Sequence, residues 1–168
     1  MSREPPHPLS IRAAVPSDAE DVTRIYVVSW NAGFGHLMGY RSIEPKLIAR
    51  WRRDIGSSPP QRWWVAKLDG ETVRFAGIGP CRDPTDPSLG ELDTIAVDPA
   101  YWRTGVGEAL MTHCLHFLSK DGYKEAGLWT LENYPRGAGF YAATGWRRNG
   151  RVRDGGKQIS YSHPLAPQ

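Results

Sequence analysis

A glycine-containing loop between a β-rich run and an apolar helical run is the feature of this sequence that most directly predicts chemistry. The run Glu91–Val97 is followed by Asp98-Pro99, and the segment Arg103–Gly107 comes next. Proline cannot donate to a strand ladder, and glycines let an incoming group approach backbone amides. The free N–H groups and the positive dipole end of the following helix point at such a loop. The segment therefore predicts a phosphate-binding site.

Two common nucleotide-binding motifs do not fit this loop. A dinucleotide fingerprint needs a third glycine where Leu110 stands, and a P-loop needs a Gly-Lys-Ser/Thr run, which the loop lacks. The expected ligand is therefore neither NAD nor ATP. A plain tight turn remains the alternative interpretation of a lone Gly-x-Gly, so a second motif is needed to name the ligand.

A second motif lies further along the chain, in the segment Leu128–Trp146. It consists of a β-rich run, Asn133 at the start of a helix, the pair Phe140-Tyr141, and Gly145 as a helix C-cap. The two motifs in this order are more specific than either of them alone.

Together the two segments resemble the GNAT N-acetyltransferase superfamily. The acetyl-coenzyme A motif of that family runs Val-x-Pro, then Gln/Arg-x-x-Gly-x-Gly, then a helix. Its second motif is a strand, an Asn and a helix carrying aromatic-Tyr-x-x-x-Gly-aromatic. The matching segments are Val97–Pro99, Arg103–Gly107, Asn133 and Phe140–Trp146, and the likeness in element order extends over Ile11–Pro164.

The chain departs from the family pattern at two positions. Trp102 stands where the family usually has the first Gln or Arg, so pyrophosphate recognition is expected from Arg103 and the amides of Thr104 to Glu108. Tyr134 looks like an insertion that moves Asn133 further from the helix aromatics than is usual.

The resemblance implies that acetyl-coenzyme A is the co-substrate. The residues expected to bind it are Ile95, Ala96, Val97, Arg103, Thr104, Gly105, Val106, Gly107, Glu108, Asn133 and Tyr141. No metal is expected. His113 and His116 lie on the same predicted helix, but no third ligand is placed with them, so we expect a solvated helix face there.

The resemblance also implies catalytic roles that these residue types can support. An amine of pKa about 10 must lose a proton before it attacks, and Glu91 matches the general base of the family, with Asp93 on the same side of the strand. Backbone N–H groups around Ile95 and Val97 match its oxyanion donors. Tyr141 matches its general acid, which protonates the leaving thiolate. The alternatives are surface acids for the two carboxylates and a core residue for Tyr141.

The acceptor is expected over the opposite end of the sheet, beside the first two helices. Trp30, Phe34, Tyr40 and Asp93 are the predicted substrate-binding residues, and glycines in the segment Trp30–Ser42 indicate a mobile loop. Aromatic rings can enclose a small cationic amine. The same pattern also fits plain core packing.

Three functions are compatible with these residues, and we favour the first. It is direct acetyl transfer in a ternary complex to a primary amine of a small molecule or peptide, since neither Cys81 nor Cys114 lies in a reactive pattern. The second is a coenzyme A-binding sensor or inactive relative. The third is an acetyltransferase acting on charged tRNA, based on interleaved basic and aromatic residues in Arg50–Arg53 and Arg62–Trp64.

The elements that must position these residues follow the order βααβββαβαββ. Hydrophobic periodicity and Gly/Pro punctuation predict an α+β fold, in which a mixed, mostly antiparallel central sheet is flanked by helices. The predicted strands are Ile11–Ala14, Arg62–Leu68, Val73–Cys81, Glu91–Val97, Glu125–Leu131 and a hairpin within Trp146–Pro164. The first predicted helix starts at Pro16, and the second covers Ile43–Asp54. The third follows the glycine loop, and the fourth ends near Gly145.

Length and composition limit the remaining classes. The chain has 168 residues, 40% hydrophobic and 23% charged, and no apolar run of the roughly 20 residues that a membrane span needs. We expect one domain over residues 11–164, a flexible N-terminal segment 1–10, a C-terminal tail 165–168, and a cytoplasmic location without membrane association. A net charge of +3 without clustering argues against a nucleic-acid partner. The family resemblance leaves a homodimer open.

Overall fold

The computed structural model describes residues 9–82 and 86–167, apart from the Val106 side chain. Most of the predicted flexible segment 1–10, part of the predicted loop after Arg82 and the last residue of the predicted tail lie outside the described residues. Strands β1 to β7 span Ser10–Ala13, Arg62–Leu68, Glu71–Pro80, Leu89–Val97, Glu125–Leu131, Arg147–Arg153 and Gln158–Pro164. Helices α1 to α5 span Ala19–Gly33, Gly35–Met38, Pro45–Ile55, Val106–Lys120 and Pro135–Ala143.

The strands form one sheet in the order β1-β2-β3-β4-β5-β7-β6. Every neighbouring pair is antiparallel except β4 and β5, which are parallel. The prediction of an α+β fold with a mostly antiparallel central sheet and flanking helices is therefore confirmed.

The observed order differs from βααβββαβαββ by one short helix, α2, in the segment predicted as a mobile loop. The Phe34 carbonyl accepts the N–H groups of Leu37 and Met38, which closes one helical turn. The Trp30 indole N–H then donates to the Gly39 carbonyl at 3.0 Å, so the segment is held against α1. Local hydrogen bonds offset the low helix propensity of its glycines.

Hydrophobic clusters cover the two faces of the sheet. Helix α4 covers one face because Leu110, Met111, Cys114 and Leu118 recur at helical spacing. Helices α1 and α3 cover the other face, where Trp51 is fully buried. Adjacent β3 residues alternate between the clusters, as side chains of a strand must.

Strands β4 and β5 separate in the middle of the sheet. They pair only at their starts, where Leu89–Glu91 lies beside Glu125–Gly127. The β3–β4 register shifts at Asp93, which is the extra residue of a β-bulge. Because of the bulge, Leu92 and Ile95 both face the α4 cluster although their spacing is odd. The result is a gap between two central strands, and the candidate site lies there.

Candidate active site

A large cavity lies where β4 and β5 separate, between the start of α4 and helix α5. Its volume is about 680 Å³, within the range of roughly 300–1,000 Å³ typical of small-molecule sites. The predicted cofactor residues that line it are Ile95, Ala96, Val97, Arg103, Gly105, Gly107, Glu108 and Tyr141. Most of the predicted set, from both sequence motifs, therefore surrounds one cavity.

Thr104 and Asn133 do not line this cavity. The Thr104 hydroxyl turns back and donates to the Tyr101 carbonyl at 2.6 Å. Asn133 is exposed in the turn before α5 and is not part of the cavity wall. Val106 begins α4, and only its backbone is described.

Local hydrogen bonds hold the loop before α4. The Asp98 carboxylate accepts the Ala100 N–H at 3.0 Å and a guanidinium N–H of Arg24 at 3.1 Å. Gly105 is the N-cap residue of α4 and has φ +79°, a left-handed conformation that favours glycine. Because Gly105 and Glu108 line the cavity, the free N–H groups of the first α4 turn lie at its wall, where they suit a phosphate.

Tyr141 lies deep in the site, on α5. Its ring packs against the Tyr161 ring at a centroid distance of 5.4 Å. Burial raises the pKa of the Tyr141 hydroxyl well above its ordinary value, Tyr134 and Tyr161 raise it further, and a hydrogen bond with Thr130 opposes them. The phenol therefore stays protonated at neutral pH.

A second, smaller cavity of about 250 Å³ adjoins the first. Of the predicted substrate-binding residues, Trp30, Phe34 and Asp93 line it. Tyr40 lines neither cavity: its side chain is 74% exposed and its ring covers Gly35. The residues shared by both walls mark where the cavities meet, and they are Ser29, Phe34, Ile95, Ala96 and Tyr141.

Two carboxylates of β4 share one arginine. Arg82 Nη2 lies 2.5 Å from Asp93 Oδ2, and Arg82 Nε lies 3.5 Å from Glu91 Oε2. Glu91 is buried and lines neither cavity, whereas Asp93 lines the smaller one. Burial raises the pKa of Glu91, Arg82 and Arg153 lower it, and Asp93 raises it.

The backbone of β4 presents donors to the gap. The Asp98 N–H donates to the Val73 carbonyl of β3, and successive peptide groups of a strand point to opposite sides. The N–H groups of Ile95 and Val97 therefore point away from β3, towards the gap. The Val97 carbonyl points the same way and accepts the Trp102 indole N–H at 3.0 Å.

Sequence reasoning missed several cavity residues. Trp102, Tyr134 and Arg136 line the larger cavity, and Tyr26 and Trp129 line the smaller one. Tyr134, taken as an insertion, is a packed residue whose ring lies 4.4 Å from the Phe34 ring between centroids. It covers Gly33 and Gly137, where an added Cβ would lie 3.1 Å and 2.4 Å from it. In the sequence, only Gly33 and Gly137 indicated that a large side chain packs at this position, because a glycine leaves room for it.

The basic and aromatic pattern that favoured tRNA is a packing pattern. Trp51, Trp63 and Trp64 are 2%, 8% and 5% exposed, so these rings cannot stack on nucleotide bases. The tRNA hypothesis loses the observation on which it rested.

The prediction of a solvated helix face is correct for His116, which is exposed, and wrong for His113, which is half-buried. The His113 ring packs between those of Trp64 and Phe117, at centroid distances of 5.0 and 4.8 Å, because it lies one turn from Leu110 on the buried side of α4. Over residues 9–82 and 86–167, no group of acidic, His and Cys side chains could hold a metal ion.

Comparison with known proteins decides the family. A model described as the acetyltransferase (GNAT) family matches residues 19–146. The chain belongs to the GNAT acetyltransferase family. This GNAT protein is 27% identical over 146 residues to an uncharacterized N-acetyltransferase of Archaeoglobus fulgidus. The alignment covers 83% of this chain and 94% of that protein.

Solved structures share the fold of the GNAT protein. The PaiA N-acetyltransferase of Thermoplasma acidophilum, in complex with coenzyme A, has a TM-score of 0.74 and 18% identity over 94% of this chain and 99% of that one. An acetyltransferase of Thermus thermophilus has a TM-score of 0.76 and is 18% identical, and the match covers 94% of this chain and 97% of that one. As a member of the GNAT family, the protein is an N-acetyltransferase that uses acetyl-coenzyme A, as the resemblance implied.

The larger cavity fits this cofactor. Helix N–H groups and the cations Arg103 and Arg136 suit its phosphates, and the apolar wall formed by Ile95 and Phe140 suits its uncharged arm. Gly107 has a packing reason as well, since an added Cβ would lie 3.3 Å from the Phe140 ring. Within the described part of the chain, no helix is long and apolar enough to cross a membrane.

Proposed function

We propose that this GNAT enzyme transfers the acetyl group to the primary amine of a small molecule or peptide, by direct attack in a ternary complex. The observation that carries the proposal is the meeting of two cavities at Tyr141. The larger cavity has cations and helix amides at its wall, and the smaller one has a carboxylate and aromatic rings. A donor in the first and an amine in the second place the reacting groups side by side.

The smaller cavity suits an amine acceptor that binds beside Asp93. Its wall contains the Asp93 carboxylate, which Arg82 also contacts, and the rings of Tyr26, Trp30 and Trp129. The guanidinium groups of Arg41 and Arg153 already lie 3.8 and 4.3 Å from the centroids of the Trp30 and Trp129 rings, so the attraction for an ammonium group comes from Asp93. The volume of about 250 Å³ limits the enclosed part of the acceptor to a small group, such as the amine end of a metabolite or peptide.

The two β4 carboxylates support removal of the ammonium proton. Asp93, at the cavity wall, holds the ammonium group, and Glu91, behind it, accepts the proton through water. The raised pKa of Glu91 supports this role, because a general base is most effective when its pKa approaches the working pH.

Tyr141 and the β4 backbone support the remaining steps. Bound acetyl-coenzyme A supplies an activated thioester. The N–H groups of Ile95 and Val97 donate to the carbonyl oxygen as negative charge develops there. Tyr141 lies where the cavities meet, and its hydroxyl proton passes to the leaving sulfur.

Direct transfer is favoured over an acetyl-cysteine route. Cys114 is buried on the sheet-facing side of α4, and burial raises the pKa of its thiol to about 12. Cys81 is half-buried and lines neither cavity. A nucleophilic cysteine needs a depressed pKa and access to the substrate.

The test combines thiol release with intact-protein mass spectrometry. We expect thiol release from acetyl-coenzyme A only when an amine is present, and no mass gain of the enzyme when it is absent. An acetylated enzyme would overturn direct transfer. Binding of acetyl-coenzyme A without thiol release for any amine in a broad panel would favour the coenzyme A-binding sensor.

A further inference from the structure

Trp102 and Arg136 form a cation–aromatic pair on the wall of the larger cavity. The Arg136 guanidinium carbon lies 3.8 Å from the centroid of the Trp102 ring, and both residues line the cavity. They come from different elements, since Trp102 precedes α4 and Arg136 is in the first turn of α5. The contact therefore joins the two sequence motifs across the cavity.

The aromatic partner is fixed in place. The Trp102 indole N–H donates to the Val97 carbonyl at 3.0 Å, which ties the ring to the end of β4. An arginine that lies on a fixed ring keeps less rotamer freedom than a free one. Binding through it therefore costs less conformational entropy.

The charge of Arg136 has no acidic partner. Within the described chain, Arg12, Arg24 and Arg62 form ion pairs with aspartates, but no carboxylate lies within 4.0 Å of Arg136. Its positive charge still reaches the half-buried Tyr134, whose pKa is raised by burial, an effect that Arg136 opposes by favouring the charged form. Among the described lining residues, Glu108 is the single acid. An unpaired, pre-positioned cation in such a wall suits an anionic ligand.

The geometry points to Arg136, held by Trp102, as a residue that binds a phosphate of the coenzyme A nucleotide from the side opposite the α4 amides. Trp102 is the positioning residue, and Arg136 makes the contact. The pair gives the tryptophan at position 102 a role, because α5 then supplies a second cation in addition to Arg103 of the loop. Two groups of the cofactor share this chemistry, the pyrophosphate and the 3′-phosphate. The inference concerns cofactor binding alone and is independent of the acceptor and of the catalytic roles proposed above.

The test is a set of dissociation constants measured by calorimetry with coenzyme A, 3′-dephospho-coenzyme A and pantetheine. We expect Arg136→Gln to weaken coenzyme A binding roughly 10- to 100-fold, the usual effect of losing a charge-assisted hydrogen bond. Pantetheine, which has no phosphate, should bind the variant and the wild type equally. Arg147→Gln, which removes an exposed arginine from β6, is the matched control and should leave all three constants unchanged.

The dephospho compound identifies the phosphate. A loss confined to coenzyme A assigns Arg136 to the 3′-phosphate, and an equal loss for both compounds assigns it to the pyrophosphate. The inference is overturned if Arg136→Gln binds coenzyme A like the wild type, or if pantetheine binding weakens in parallel.

The role of Trp102 is tested by a double-mutant cycle. We expect Trp102→Leu to weaken coenzyme A binding in the wild type and to add little in the Arg136→Gln background, because its effect acts through Arg136. Fully additive effects would contradict a positioning role. Equal unfolding temperatures of the variants exclude a general loss of structure.

Discussion

Tyr141 is the side chain at which the two cavities meet, and its surroundings keep its hydroxyl neutral. Its raised pKa, for which burial is the largest cause, keeps the hydroxyl protonated at neutral pH, although it also makes the phenol a weaker acid than a thiol of pKa about 8.5. We expect Tyr141→Phe to lower kcat roughly 10²- to 10⁴-fold, the usual contribution of a general acid. The dissociation constant of acetyl-coenzyme A should hardly change. Steady-state kinetics and calorimetry measure the two effects, and an unchanged kcat would contradict the assignment.

Glu91 and Arg82 give a prediction about pH. A carboxylate base works when it is deprotonated, so activity should fall as pH drops through the pKa of Glu91. Arg82 lowers that pKa, and we expect Arg82→Gln to move the acid limb of the kcat/KM profile to higher pH. Asp93 and Arg153, which also act on Glu91, remain in place in this variant.

Glu91→Gln should remove the acid limb of the profile. Arg148→Gln, on the exposed strand β6, is the control for the loss of a positive charge in Arg82→Gln, and it should leave the acid limb in place. If the limb stays in place in Arg82→Gln and Glu91→Gln, another group is the base, and Asp93 at the cavity wall is the next to test.

Arg74 is a buried cation without a partner. Its side chain is fully buried, and none of its three guanidinium nitrogens has a hydrogen-bond partner in the described structure. Burial lowers its pKa from 12.5 to about 10. Because the folded-state pKa lies below the ordinary value, the destabilisation is fully present below pH 10, and therefore at neutral pH.

We expect Arg74→Met to stabilise the fold by about 1–4 kcal/mol, the range seen when apolar side chains replace buried ion pairs. Urea unfolding at neutral pH measures this. Arg62→Met is the control variant. It breaks an ion pair with Asp121, so it should not stabilise the protein. A destabilised Arg74→Met would mean that the guanidinium has a favourable role in the core.

At the scale of elements, helix α5 is positioned through Tyr134. A Cβ added at Gly137 would lie 2.4 Å from the Tyr134 ring, whereas one added at Gly139 would have no atom within 4 Å. We therefore expect Gly137→Ala to displace the ring from Phe34 and weaken acetyl-coenzyme A binding. Gly139→Ala, on the same helix, should stabilise the fold by roughly 0.5–1 kcal/mol through helix propensity.

Calorimetry and urea unfolding separate these two glycine variants. In a Tyr134→Ala background the penalty of Gly137→Ala should disappear. A penalty that persists there would place its cause in the helix backbone and not in the ring.

Elements that depend on local patterns could be predicted from the sequence, and those that depend on long-range pairing could not. Helix α4 follows from the spacing of Leu110, Cys114 and Leu118, and the loop before it follows from its glycines. The bulge at Asp93 and the separation of β4 from β5 depend on the register against β3, which no local pattern encodes. The pairing of Trp102 with Arg136 joins distant elements, so it was missed for the same reason.

At the scale of the whole molecule, the larger cavity connects α1, β4, α4 and α5, so a cofactor that binds there should stabilise elements on both sides of the separated strands. A ligand at 100 times its dissociation constant adds about 2.7 kcal/mol of stability. At roughly 2–4 °C per kcal/mol for a domain of this size, the unfolding midpoint should rise by about 5–10 °C. We expect this rise with acetyl-coenzyme A and with coenzyme A, and a much smaller one with ATP or NAD at equal concentration. ATP carries similar phosphates but lacks the arm that fills the cavity between Tyr141 and α4, so equal stabilisation by ATP would mean that the site binds phosphate alone and that the arm contributes nothing.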